Sequence, residues 1–188
     1  GTEFELCDPS VLEELGHIRH AVFDHDGTIS TLREGWEDIM HPVMMKSILG
    51  KAYESVDQAT YRKVEKQALD FIEKTTGIQT IYQMEGLVQM VRDFGFVPED
   101  EILDKYDYKD VYNKALLEVV NLRIDKLNRS ELNADDYTVK GSVQFLEGLR
   151  DRDVTCYLAS GTDAEDVINE AGILGYSHHF NGGMYGAL

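Results

Sequence analysis

The apolar positions fall into two rhythms. Ala21-Val22-Phe23 is a short unbroken apolar run, which predicts a first buried strand. From about Glu34 to Asp136 the apolar residues instead keep helical spacing almost throughout. Trp36, Ile39, Met40, Val43, Met44 and Ile48 mark one helix, which Pro42 bends or divides. Asp57 caps a second, with Tyr61, Val64, Ala68, Leu69 and Ile72 on one face. Thr80 caps a third, carrying Met84, Leu87, Val88 and Val91 and ending near Gly95. Pro98-Glu99-Asp100 starts a further segment, and the longest run spans Tyr108 to Leu127. No strand pattern interrupts this stretch.

The first rhythm then returns. Ser142 caps a helix with Val143, Leu146 and Leu149 inward. Val154 to Ala159 is a continuous β-prone run, Ser160-Gly161-Thr162-Asp163 turns into a helix through Val167, Ile168 and Ala171, and Gly172 ends it. Phe180 and Met184-Tyr185 fit one more short strand. Near the start, Asp8-Pro9 opens a short helix with Val11, Leu12 and Leu15 on its apolar face, stopped at Gly16. Gly1 to Leu6 reads as a translated cloning linker. The expected architecture is α/β: a doubly wound parallel sheet built from residues 8–33 and 137–188, with an α-helical unit inserted over 34–136.

A net charge of −17 repels phosphate backbones and excludes nucleic acid as a main partner. An anionic substrate would need a local cation, and a divalent metal is the obvious one. The two cysteines, Cys7 and Cys156, form no metal pattern and no disulfide framework, which fits a reducing cytoplasm. No apolar stretch reaches the ~18 residues of a membrane span.

Candidate chemistry sits at the strand ends, where open parallel sheets place their sites. Asp24-His25-Asp26-Gly27-Thr28 follows the first strand, and Ser160-Gly161 follows the later one. Adjacent parallel strands would bring the two together. Asp24 can act as a carboxylate nucleophile toward phosphorus, giving an aspartyl-phosphate. Asp26 can protonate the leaving oxygen and then activate water. Gly27 allows the turn, Thr28 steadies it, and Ser160 offers a hydroxyl to a phosphate oxygen with nearby N–H groups assisting. Mg²⁺ bridging Asp24 and Asp26 would remove their repulsion of a phosphate dianion. Taken singly, Asp-Gly is a common turn and Ser-Gly-Thr-Asp an ordinary cap; the weight lies in their joint occurrence. A calcium loop fails, because with Gly27 at the loop glycine the first and last positions are Val22 and Arg33.

Val22-Phe23-Asp24-His25-Asp26-Gly27-Thr28 resembles the first signature of the haloacid dehalogenase superfamily, and Val154 through Ser160-Gly161 resembles its second. The resemblance implies a helical cap of the C1 type after the first motif. It makes Asp24 the nucleophile, Asp26 the acid/base and Ser160 a phosphate ligand, with Mg²⁺ on Asp24 and the backbone carbonyl of Asp26. It also implies a phosphatase of small phosphorylated metabolites, because dehalogenases in the superfamily lack the second aspartate.

The pattern breaks at two places. The superfamily adds a lysine and a later acidic pair, and neither is visible: Asp153 to Leu188 contains no Lys or Arg. Lys140 is the nearest upstream lysine. A missing C-terminal segment, or a partner that completes the core, is therefore expected, with little turnover by these residues alone. The alternatives are a phosphomutase of the same superfamily and a non-catalytic binding module. Trp36, His41, Tyr53 and Tyr61 either line a substrate pocket or, more simply, pack the bundle, and His178-His179 reads as a surface pair.

Overall fold

A computed structural model describes residues 7–14 and 16–187. The strands are β1 (His20–Phe23), β2 (Thr155–Asp163) and β3 (Gly183–Ala187), paired in parallel in the order β1-β2-β3. The helices are α1 (Trp36–Leu49), α2 (Gln58–Thr75), α3 (Thr80–Phe94), α4 (Lys105–Asn128), α5 (Ser142–Arg150) and α6 (Ala164–Ile173). The α/β class expected from the two rhythms is what the chain adopts.

Two apolar cores result. One lies among α1 to α4 and holds Met40, Met44, Ile48, Val64, Leu87 and Leu116. The other joins the sheet to α5 and α6 through Cys156, Leu158, Leu146, Val167 and Ala171, with Ile29 and Leu32 from the loop after β1. Cys156 and Leu158 are two apart in β2, share a face, and are fully buried, as strand periodicity requires.

Several boundaries differ from the sequence reading. Pro42 does not divide α1 into two elements, since a single helix runs through it. Asp57 caps α2, accepting from the N–H groups of Ala59 and Thr60 at 3.0 Å each. Thr80 is the first residue of α3 rather than its cap, a place taken by Gln79. Ser142 does not cap α5: Gly141 does, in the left-handed region, and the buried Ser142 hydroxyl has no partner. The Asp8-Pro9 segment forms a 3₁₀ helix, Pro9–Glu14, that buries nothing, so the expected apolar face is not used. Leu15 of that face, and residues 1–6, lie outside the described residues. Gly172 lies inside α6, and the turn that follows falls at Gly175 (φ 82°).

The largest correction concerns β2, which runs four residues past Ala159 to Asp163 with an irregularity in its pairing to β3. Ser160 and Gly161 are thus strand residues, not a turn. On β3, Gly186 fits because it has no side chain: a Cβ there would lie 2.5 Å from Ala164 Cα and 2.6 Å from the Thr162 carbonyl oxygen. Both obstacles are backbone and cannot swing aside. Gly186→Ala is expected to lower stability by about 3 kcal/mol, read as a fall in the urea midpoint with unchanged slope.

Among the described residues, β1 pairs on one side only, and Val22 is 69% exposed. The run read as a buried strand is therefore an edge strand with one face open.

Candidate functional site

The loop after β1 is organised by one carbonyl. The His25 oxygen accepts from the N–H groups of Thr28 (3.3 Å), Ile29 (2.9 Å) and Ser30 (3.0 Å). Gly27 donates to the Ser30 oxygen at 2.8 Å and takes φ 74°, a left-handed value that favours glycine. This tight turn leaves Asp24 exposed at the strand end and tucks Asp26 half inside. Asp24 Oδ2 has a long contact with the Thr28 hydroxyl, 3.5 Å. Asp26 Oδ2 accepts from the Thr162 hydroxyl at 2.8 Å and more loosely from Ser160 Oγ at 3.4 Å. Parallel pairing of β1 with β2 therefore brings the two motifs side by side, 134 residues apart in the chain for Asp26 and Ser160.

They open into one cavity of about 210 Å³. Asp24, Asp26, Ser160, Gly161 and Thr162 form its floor, and Trp36, Tyr112 and Leu116 with the α2–α3 loop at Thr76-Gly77-Ile78 form its roof. The roof sits low: a Cβ on Gly161 would already stand 3.4 Å from the Ile78 oxygen and from Gln79 Cα. Trp36 thus lines the cavity, whereas Tyr53 and Tyr61 pack against the helical core and His41 lies off the cavity. Gly27 and Thr28 shape the loop but are not cavity-lining residues.

Arg33 also lines the cavity, and the sequence reading missed it. Its Nε and Nη2 donate to Glu170 Oε1 at 2.9 and 2.7 Å, and Nη2 donates to Asp166 at 2.8 Å. Burial disfavours the Arg33 charge, but Glu170 and Asp166 outweigh it and push the guanidinium pKa up. Burial also raises the Glu170 carboxyl, against the pull of Arg33. Burial pushes Asp26 up as well, yet His25, the Thr162 hydroxyl and Arg33 together hold it below the ordinary carboxylate value. Lys140 is exposed and does not line the cavity, so it does not stand in for the expected lysine.

His25, between the two carboxylates in the chain, does not line the cavity. It is fully buried, with Nε2 2.7 Å from the Tyr176 hydroxyl. His178 and His179 are not a surface pair: His179 is buried, and burial lowers its pKa.

The donors present suit Mg²⁺ chemically. It takes hard oxygen ligands, usually one or two carboxylates with waters and substrate phosphate completing the shell. The exposed Asp24 carboxylate at the cavity floor and the adjacent Asp26 carbonyl are such donors.

The structure is similar to the crystal structure of beta-phosphoglucomutase from Clostridium difficile, with a TM-score of 0.58 at 18% identity. The match covers 89% of this chain and 60% of that one, so the chain spans well under two thirds of that protein's length. At this identity the likeness shows the fold alone. No protein-family model and no curated protein sequence matches the chain.

Thr162 had a signal that was passed over. In a strand, residues two apart share a face, so extending β2 past Ser160 puts Thr162 beside it. Glu170 and Asp166 had none, because their pairing with Arg33 spans 137 and 133 residues.

Proposed function

We propose that the chain carries the phosphoryl-transfer site of a Mg²⁺-dependent phosphatase acting on a small phosphorylated metabolite. The observation behind this reading is the convergence of Asp24, Asp26 and Ser160 on one small cavity at the carboxyl ends of adjacent parallel strands. Asp24, exposed and nearly free of hydrogen bonds, is placed to attack phosphorus and carry an aspartyl-phosphate. Asp26 first takes up a proton from solvent, against the groups that hold its carboxyl low, turns from Thr162 toward the substrate, gives that proton to the leaving oxygen, and then takes one from the attacking water. Ser160 donates to a non-bridging phosphate oxygen. The Asp24 carboxylate and the Asp26 carbonyl would hold Mg²⁺, which would supply positive charge to offset the phosphate.

The helical unit, residues 34–136, acts as the cap. Trp36, Tyr112 and Leu116 give it an apolar contribution to substrate choice, and the cavity of about 210 Å³ favours a small ester. With a charge of −17 and no basic patch in the cap, the partner is a metabolite rather than nucleic acid. Among the described residues no helix is long and apolar enough to cross a membrane. The two free thiols suit a reducing cytoplasm.

One observation favours a second reading, a binding module with little turnover. Arg33 is the only Lys or Arg among the lining residues, and Glu170 and Asp166 already pair it. Mg²⁺ with beryllium fluoride separates the two. A phosphatase is expected to gain thermal stability and an adduct on Asp24, and to release phosphate from small esters. Absence of all three leaves the binding module. An isomerised ester in place of free phosphate assigns a phosphomutase.

A further inference from the structure

Beneath the cavity floor three residues bring unpartnered buried polar atoms into one cluster. His25 Nδ1, Asp26 Oδ1 and Glu170 Oε2 each lack a hydrogen-bond partner. His25 is 0% exposed and Glu170 2%, so bulk water does not serve them. One potential ligand atom from each of the three residues lies within 4.8 Å of the others, and His25 Nδ1 is 3.4 Å from Asp26 Oδ1. Ligand atoms on a tetrahedral metal with bonds of about 2.0–2.2 Å stand about 3.4 Å apart.

The second atom of each group is engaged elsewhere. His25 Nε2 meets the Tyr176 hydroxyl at 2.7 Å, Glu170 Oε1 accepts from Arg33, and Asp26 Oδ2 accepts from Thr162. That is how metal-ligating side chains are usually held: an outer partner on one atom fixes the orientation of the other. With Nε2–H donating to Tyr176, the Nδ1 lone pair faces the gap. Charge agrees too. Asp26, Glu170 and Asp166 face one Arg33, an excess of two negative charges that a divalent cation cancels.

We infer that His25, Asp26 and Glu170 form a site for a divalent transition metal of the zinc type, separate in its ligand atoms from the proposed Mg²⁺ site. One imidazole and two carboxylates suit Zn²⁺ and its neighbours better than Mg²⁺, which avoids nitrogen. The ion enters from the cavity, which Asp26 also lines. It ties the loop after β1 to α6. Its occupancy holds the Asp26 carboxylate down and away from substrate, so Zn²⁺ inhibits turnover; this last consequence rests on the proposed phosphatase reading.

The test is calorimetric titration of the full chain with ZnCl₂, together with visible absorption of the Co²⁺-loaded protein. One equivalent of Zn²⁺ is expected, with Co²⁺ bands of a tetrahedral or five-coordinate centre. Glu170→Gln keeps an acceptor for Arg33 and removes a charged ligand; it is expected to weaken binding at least about tenfold, and Tyr176→Phe about tenfold. Asp24→Asn is expected to bind Zn²⁺ as wild type does. Absence of binding overturns the inference, and so does equal affinity in wild type and both Glu170→Gln and Tyr176→Phe. Loss of binding in Asp24→Asn also overturns it, by moving the ion to the cavity floor. These readouts need no turnover, so the site and the phosphatase reading fail independently.

Discussion

On the proposed phosphatase reading, Asp24→Asn is expected to lower Mg²⁺-dependent phosphate release by at least about three powers of ten and to leave the melting temperature within experimental error. Both halves follow from position. Asp24 is exposed and held by a single contact at 3.5 Å, so the fold does not depend on it. A carboxamide of nearly the same shape fits the loop but is a poor nucleophile toward phosphorus. It also loses the charge that would hold Mg²⁺. Steady-state phosphate release, with thermal unfolding as the control, measures both. Turnover within tenfold of wild type would remove Asp24 as nucleophile and leave Asp26 or water to be explained. A coincident drop in melting temperature would instead assign a structural role to the residue.

Arg33→Met costs about 3–5 kcal/mol, and Arg33→Met with Glu170→Met recovers most of it. The pair is nearly sealed, at 8% and 2% side-chain exposure, and joined through two hydrogen bonds to one carboxylate oxygen. Two ions taken out of water barely repay their desolvation when both are present. One ion left alone repays none of it. Glu170 would then remain charged in an apolar setting, or take up a proton. Asp166 is partly exposed and can turn to solvent. Chemical denaturation of the two variants tests this. A single variant within 1 kcal/mol of wild type would mean that the pair is solvated in solution.

What could be read from the chain followed the range of the interactions. Caps made by a neighbouring side chain were legible, as at Asp57, whose carboxylate bonds N–H groups two and three residues on. Ser142 had the right residue type but lost the place to Gly141, whose positive φ no side-chain rule detects. Val11 and Leu12 looked like one face of a helix, yet both are about half exposed, because periodicity does not show whether a partner surface exists. The adjacency of Asp24, Asp26 and Ser160 was legible because each motif is local and strand pairing supplied the rest. Arg33 with Glu170, and His25 with Tyr176, depend on contacts across 137 and 151 residues. No local pattern records such a pairing.

Arg123 has a further consequence for how a ligand reaches the cavity. From α4, its Nη1 donates to the backbone oxygens of Leu32 and Glu34 at 2.6 and 2.9 Å, where the chain leaves the sheet for α1. Lys109 and Asn113, further up the same helix, bond Asp163 at 2.5 and 3.3 Å. α4 is thus fastened to the sheet at two heights along its length, while the α2–α3 loop only rests against Gly161. Any rotation of the helical layer that keeps these bonds would pivot on α4 and swing widest at Thr76-Gly77-Ile78. The cavity therefore has a hinge side and a mouth side. Substitutions at the mouth would change how fast a ligand exchanges, and those at the hinge would change how often the mouth opens.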